Sequence, residues 1–289
     1  MANELFSGPS PMVQMGNLRL RQPLPQKGLE NVDPFLLIHH YGPFVSEPGQ
    51  NPMDLGPHPH RGFEPITILL QGSQLHRDSL GNRSVVKAGE AQWTTAGRGI
   101  IHSEGPSKDF VENGGTLEGL QIWLNLAQKY KMIQPNYQHV TLDEVKYAQG
   151  QNTKLAIYAG DFEGLKGAIR TPNEVNVGIL DLSKNAHYSW RFPKEHQALI
   201  YLIDGEASVA GKTLNKSSDR ILSGFKDDLK IYSESDGTKI LLMSGKAHRE
   251  KVVQWGPYVM NSQTEIMEAL RDFQMGKLGF LTPFDENPD

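Results

Sequence analysis

Cysteine is absent from the 289 residues, which removes disulfides, thiolate metal ligands and cysteine nucleophiles together. Any metal ion must then rest on His, Asp or Glu, and the absence fits a reducing compartment. Long apolar runs are missing as well: no stretch of about 18 uninterrupted apolar residues occurs, so no membrane span is expected. The opening residues, Met-Ala-Asn-Glu-Leu-Phe-Ser, lack the basic start and apolar core of a secretory signal. The expected location is the cytoplasm, or also the nucleus in a eukaryotic source. Positive charge is not in excess. Lys and Arg number 29 against 33 Asp and Glu, a net of −4, with no basic run able to follow a phosphate backbone, so direct nucleic-acid binding is not expected. A phosphate-binding G-x-x-x-x-G-K-[S/T] loop is absent, and Gly97-Arg-Gly99 lacks the rest of a dinucleotide fingerprint. The G-x-S-x-G elbow and the H-E-x-x-H helix, marks of serine hydrolases and zinc proteases, are absent too.

What is present has β texture. Short apolar runs lie between turn signals at spacings of roughly ten residues, and 29 Gly and 18 Pro are spread through the chain, which suits a sandwich or barrel. Residues 64–72 read as a strand ending in a turn, 79–83 as a hairpin bend at Gly81 and Asn82, and 119–126 as a half-buried strand with Leu120, Ile122, Leu124 and Leu126 on one face. A second block of the same texture runs from about 175 to 245, where Ala198–Gly205 parallels Pro65–Gly72. Two related β-domains in tandem are expected, with the polar stretch Gln128–Asn152 as the crossover. Their expected extents are 1–135 and 136–289. Near the end, Ser262 and Glu265 form a capping box ahead of Ile266, Ala269, Leu270 and Phe273 at helical spacing, and Gly276 supplies the stop. That apolar stripe packs on the protein's own barrel or docks a partner, the former being the expected role. The acidic tail beyond Phe284 is expected to fray.

The chemistry-bearing pattern lies in the histidines. His58 and His60 flank one residue, and so do His102 and Glu104. Side chains at i and i+2 on a strand project to one face, so two such strands lining one barrel aim three imidazoles and a carboxylate into one space, a donor set suited to a divalent transition metal. Taken singly, His58-Pro-His60 reads as well as a surface turn as it does as a ligand pair, and His102-Ser-Glu104 as well as a polar strand edge. Glu64, four residues past His60, would be a further ligand or, as favoured, a hydrogen-bond partner fixing an imidazole tautomer. His39 and His40 face opposite ways on a strand. His76, His139, His187, His196 and His248 stand alone and receive no role.

Four stretches, His58-Pro-His-Arg-Gly-Phe-Glu64, His76-Arg-Asp-Ser-Leu-Gly-Asn82, Gln92-Trp-Thr-Thr-Ala-Gly-Arg-Gly-Ile-Ile-His-Ser-Glu104 and Leu120-Gln-Ile-Trp123, resemble the pirins, members of the cupin superfamily. Asp33-Pro-Phe-Leu-Leu37 and Gly256-Pro-Tyr-Val-Met-Asn261 are similar as well. The resemblance implies an all-β fold of two tandem cupin barrels, jelly-roll-like double-stranded β-helices, with a C-terminal α-helix. It implies one metal, most readily Fe(II), in the N-terminal barrel on His58, His60, His102 and Glu104; Ni, Cu, Zn or Mn suit the same donors. In the second block, matching Gly205 to Gly72 sets Arg191, Pro193 and Gln197 opposite His58, His60 and Glu64, which speaks against a second metal site.

Two functions follow from the resemblance. One is a quercetin 2,3-dioxygenase-like enzyme taking a flavonol-like substrate and O2, with Glu104 as both ligand and catalytic base. The other is an iron-dependent, redox-responsive regulator that binds a transcription factor or an enzyme. A chain with two barrels and internal pseudo-symmetry is expected to satisfy its sheet edges as a monomer.

Overall fold

The structure, a computed structural model, describes residues 5–225 and 228–281, so the tail expected to fray lies outside the described residues. Antiparallel strands dominate, and the α-helices among the described residues are Lys108–Asn113 and Gln263–Gln274. The shorter helix was not expected. It starts where Ser107 Oγ accepts from the Phe110 N–H at 3.1 Å. Among the described residues, no helix is long and apolar enough to cross a membrane.

The chain folds into two compact units. One gathers Met1–Tyr41, Gln121–Leu124 and Val140–Arg249; the other gathers Gly42–Leu120, Asn125–His139 and Glu250–Asp289. In the first, a sheet orders Phe6–Gly8, Ile221–Ser223, His196–Asp204, Thr238–Lys246, Val175–Leu182, Thr153–Ala159 and Lys146–Gly150; a four-stranded sheet orders His187–Trp190, Leu229–Ser233, Glu206–Val209 and Lys212–Asn215. Trp190, Val209, Leu229 and Ile231 from the small sheet meet Leu180, Ile200, Leu222 and Leu242 from the large one in a hydrophobic core. Each such side chain contributes about 1.5–3 kcal/mol by leaving water. This is the apolar barrel.

The second unit holds Ala91–Thr95, Phe63–Gln71 and most of the flanking strands Asn136–Val140 and Gly115–Asn125, which lie side by side, and a further sheet that orders Leu55–His60, Ile100–Pro106, Ser73–Asp78 and Arg83–Lys87. This is the histidine barrel. Its hairpin bend falls where expected: Asp78 Oδ1 accepts from the N–H groups of Leu80 and Asn82 at 2.9 and 3.0 Å, and Gly81 supplies φ of 91°. The stretch 128–152, expected as a bare crossover, instead contains the strands Asn136–Val140 and Lys146–Gly150. Both are poorly buried, so neither needs the apolar alternation that marks a strand in sequence.

Residues 250–281 close this second unit. Gly62 has φ of 85°, and a Cβ there would lie 2.0 Å from the Val259 carbonyl oxygen, so glycine alone permits the approach. Val259 N–H donates to Arg61 O at 3.0 Å. Lys131, only 1% exposed, donates from Nζ to Gly62 O, Asn125 Oδ1 and Val259 O at 2.8, 2.7 and 2.9 Å. The final helix is capped as expected, Glu265 N–H donating to Ser262 Oγ and Asn261 N–H to Glu265 Oε2. Ile266 and Ala269 are buried and Leu270 partly so, but Phe273 is exposed. Asp272 takes the inward position of that turn and pairs with Arg61 at 3.1 Å.

Candidate metal centre

Three strands carry the candidate donors, and the ladder explains how. Ile100–Pro106 runs between Leu55–His60 and Ser73–Asp78. On one side His102 lies opposite His58 and Ile100 opposite His60; on the other His102 lies opposite Asp78 and Glu104 opposite His76. Residues opposite each other on a ladder share a face, so three pairs at i, i+2 spacing turn to one interior. Between His102 and Glu104 the register slips: Glu104 faces Leu55, leaving one extra residue on the Gly56-Pro57 side. This bulge bends the strand. His58 uses it, its Nδ1 lying 2.8 Å from Gly56 O, which makes Nδ1 the donor and leaves Nε2 for a ligand.

The expected ligands come together in two overlapping groups. His58, His60 and His102 offer ligand atoms within 4.8 Å of one another; so do His76, His102 and Glu104. Ring centroids stand 4.4 Å apart for His58–His102 and 4.7 Å for His60–His102. His58 is half-buried, whereas His60, His102, His76 and Glu104 are buried, so the first group lies toward solvent. Glu64 joins neither group; it is buried and accepts from Thr95 Oγ1 at 2.6 Å.

Electrostatics favour neutral imidazoles here. Burial pulls His102 well below the ordinary histidine value, and the charges of His60, His58 and His76 lower it further. Burial likewise lowers His60, with His58 adding to the effect, while a hydrogen bond to the Pro257 backbone opposes it. Neutral imidazole is the form that binds metal. Glu104 is held from the facing sheet: Thr67 Oγ1 donates to its Oε1 at 3.1 Å, and Gln92 Nε2 donates to the same oxygen.

His102 tests whether a cation fits. Although only 1% exposed, it has no hydrogen-bond partner at either ring nitrogen, a buried deficit of about 1–3 kcal/mol per group. A divalent ion among the rings removes that deficit, and the nitrogen and carboxylate donors suit Fe(II), Ni(II), Cu(II) or Zn(II).

Sequence reasoning passed over several residues of this site. His76 stacks on Tyr137 with centroids 4.1 Å apart and planes at 11°, and its Nε2 lies 3.1 Å from Asp78 Oδ2. The signal for it was the i, i+2 spacing of His76 and Asp78, the same spacing that flagged the other two pairs. Thr67 announces itself as a polar residue inside the run Pro65-Ile-Thr-Ile-Leu-Leu. Gln92 and Tyr137, joined at 3.3 Å, gave no signal. His139, read as standing alone, pairs with Glu90 at 2.8 Å.

The apolar barrel carries hydrocarbon at the matching places. Val209 stands four residues past Gly205 as His76 does past Gly72, and lies opposite Ile231; Trp190 lies opposite Leu229. By register, Trp190, Leu229, Ile231 and Val209 replace His58, His102, Glu104 and His76. The expected counterpart of His58 was Arg191. The ladder sets Trp190 there: Trp190 stands six residues before His196, the start of the next strand, whereas His58 stands five before Phe63, so counting back from the glycine slips by one residue.

Two antiparallel barrels, one with a buried His/Glu cluster suited to a metal ion, define a bicupin. The chain belongs to the pirin family: the Pirin description matches residues 17–124 and the Pirin C-terminal cupin domain matches 179–279. A pirin-like protein of Solanum lycopersicum is 34% identical over 264 residues, covering 90% of this chain and 87% of that one. A Pseudomonas aeruginosa protein named "putative quercetin 2,3-dioxygenase" is 34% identical over 287 residues, covering 95% and 96%. The crystal structure of a quercetin 2,3-dioxygenase from Acinetobacter baumannii, 31% identical, superposes with a TM-score of 0.88 over 98% of this chain and 100% of that one.

Proposed function

We propose that this chain is a metal-dependent dioxygenase of the quercetin 2,3-dioxygenase type, with Fe(II) held by His58, His60, His102 and Glu104. The observation that carries the reading is His102: a buried, neutral imidazole without a hydrogen-bond partner, flanked by further imidazoles and by a carboxylate that two side chains hold in place. The name and the 31% identity of the superposed Acinetobacter enzyme support the substrate class. When bound, the ion supplies a Lewis-acidic, redox-active centre at which a flavonol and O2 meet. Thr67 Oγ1 and Gln92 Nε2 both donate to Glu104 Oε1 and so hold the carboxylate in position. Glu104 then takes the proton of the flavonol hydroxyl as it enters. His58, half-buried at the rim, marks the side from which the substrate arrives.

The test is anaerobic reconstitution with Fe(II), followed by O2 uptake with quercetin, comparing the parent protein with Glu104→Ala. Turnover by the parent and its loss in the variant is the expected result. Equal turnover in both removes Glu104 from the chemistry, and no turnover by the parent moves the site to iron-dependent regulation of a protein partner.

A further inference from the structure

Asp78 has two oxygens with separate duties. Oδ1 closes the hairpin by accepting from Leu80 and Asn82, while Oδ2 meets His76 Nε2 at 3.1 Å and accepts from Asn82 Nδ2 at 2.9 Å. A carboxylate on one ring nitrogen is the arrangement that orients a metal-binding histidine and raises the basicity of the other nitrogen. In His76 that other atom, Nδ1, is buried and has no hydrogen-bond partner, and the side chain has no exposed surface. One ring nitrogen of His76 lies within 4.8 Å of ligand atoms of His102 and Glu104.

We propose that His76 is a metal ligand, forming with His102 and Glu104 a buried three-donor set that shares His102 with the outer set of His58 and His60. Two imidazoles and one carboxylate compose the donor set that non-haem Fe(II) oxygenases use with positions left open. The proposal rests on the metal-binding reading above and divides that site into an outer and an inner position. Tyr137, stacked on His76, fixes the ring plane from the other side.

Co(II) added as a simple salt is the probe, followed in the full-length protein by calorimetry and by its visible absorption. His58→Ala removes the outer set and leaves the inner one. The expected result is one Co(II) still bound, about 10–100-fold more weakly and with an altered spectrum; adding His76→Gln to that variant then costs at least about tenfold more. His76→Phe, which keeps the stack on Tyr137, serves as the second variant and behaves as His76→Gln does. Binding by His58→Ala that neither His76 substitution changes overturns the proposal, and so does complete loss of Co(II) from His58→Ala alone. In both cases the parent still binds and the reading of the site survives. A parent that binds no Co(II) overturns both.

Discussion

The two barrels share one ladder plan and differ in what four positions hold. Trp190, Leu229, Ile231 and Val209 fill one interior; His58, His102, Glu104 and His76 occupy the corresponding places in the other. The apolar set gains free energy by leaving water, apart from the buried indole N–H of Trp190, which has no hydrogen-bond partner. The polar set loses hydration and recovers it only where partners exist, as Thr67 and Gln92 do for Glu104 and Asp78 does for His76. His102 recovers none of it from protein atoms. The same scaffold therefore spends stability in one barrel on a place for a cation, while the other supplies a rigid apolar core.

The sharpest way to break the comparison is to move a charge into the apolar barrel. Ile231→Glu puts a carboxylate at the position of Glu104 without Thr67 or Gln92 to meet it. Urea unfolding is expected to show a loss of about 3–5 kcal/mol, the cost of an unpaired buried charge. A loss under about 1 kcal/mol, the range of ordinary surface changes, means that water reaches this interior and that the contrast between the barrels is false.

A smaller effect compares one buried cation in each unit. Arg220 donates from Nε to Leu202 O and from its terminal nitrogen to Ile203 O, and a guanidinium keeps its charge at any working pH. Lys131 meets two backbone carbonyls and Asn125 in the same manner, but burial pulls it from 10.5 down to about 7, with Glu250 and Glu265 opposing. The folded protein thus holds fewer protons than the unfolded chain between about pH 7 and 10.5. The contribution of this lysine to stability rises with pH through that window and is lost as pH falls to about 7. Lys131→Met leaves its acceptors unsatisfied, an expected cost of about 2–3 kcal/mol at neutral pH. The gap between parent and variant widens toward pH 9, whereas a gap independent of pH contradicts the assigned burial effect.

What could be read without coordinates follows from the period of two in a strand. The spacing of His58 with His60, and of His102 with Glu104, selects a shared face because alternate residues point the same way. His76 and Asp78 obey the same rule, but the Asp sits in a hairpin signature that absorbs attention as turn chemistry. Register is a different matter: one extra residue near Gly56 separates Glu104 from His58, and no local pattern announces it. The repeated texture of Pro65–Gly72 and Ala198–Gly205 exposed the two barrels. Which barrel each chain end joins depends on long-range contacts, such as Phe6 opposite Ser223 and Lys131 beneath Val259. A lysine in a polar stretch carries no sign that it is buried.

The smallest effect concerns the helices, both of which, among the described residues, belong to the histidine barrel. Gln263–Gln274 is tied to a site strand by an ion pair near its end: Asp272, in its last turn, binds Arg61, the residue after His60, at 3.1 Å. Ser262 caps the opposite end. Ser262→Ala removes an acceptor from the first turn and is expected to cost about 1 kcal/mol in urea unfolding. Fraying is confined to the first turn and does not reach Asp272, so Co(II) affinity stays at the parent value. Asp272→Ala is the partner measurement. If Ser262→Ala weakens Co(II) as much as Asp272→Ala does, the helix acts on the site as a whole body, and the local contact between Arg61 and Asp272 is not what steadies the strand bearing His58 and His60.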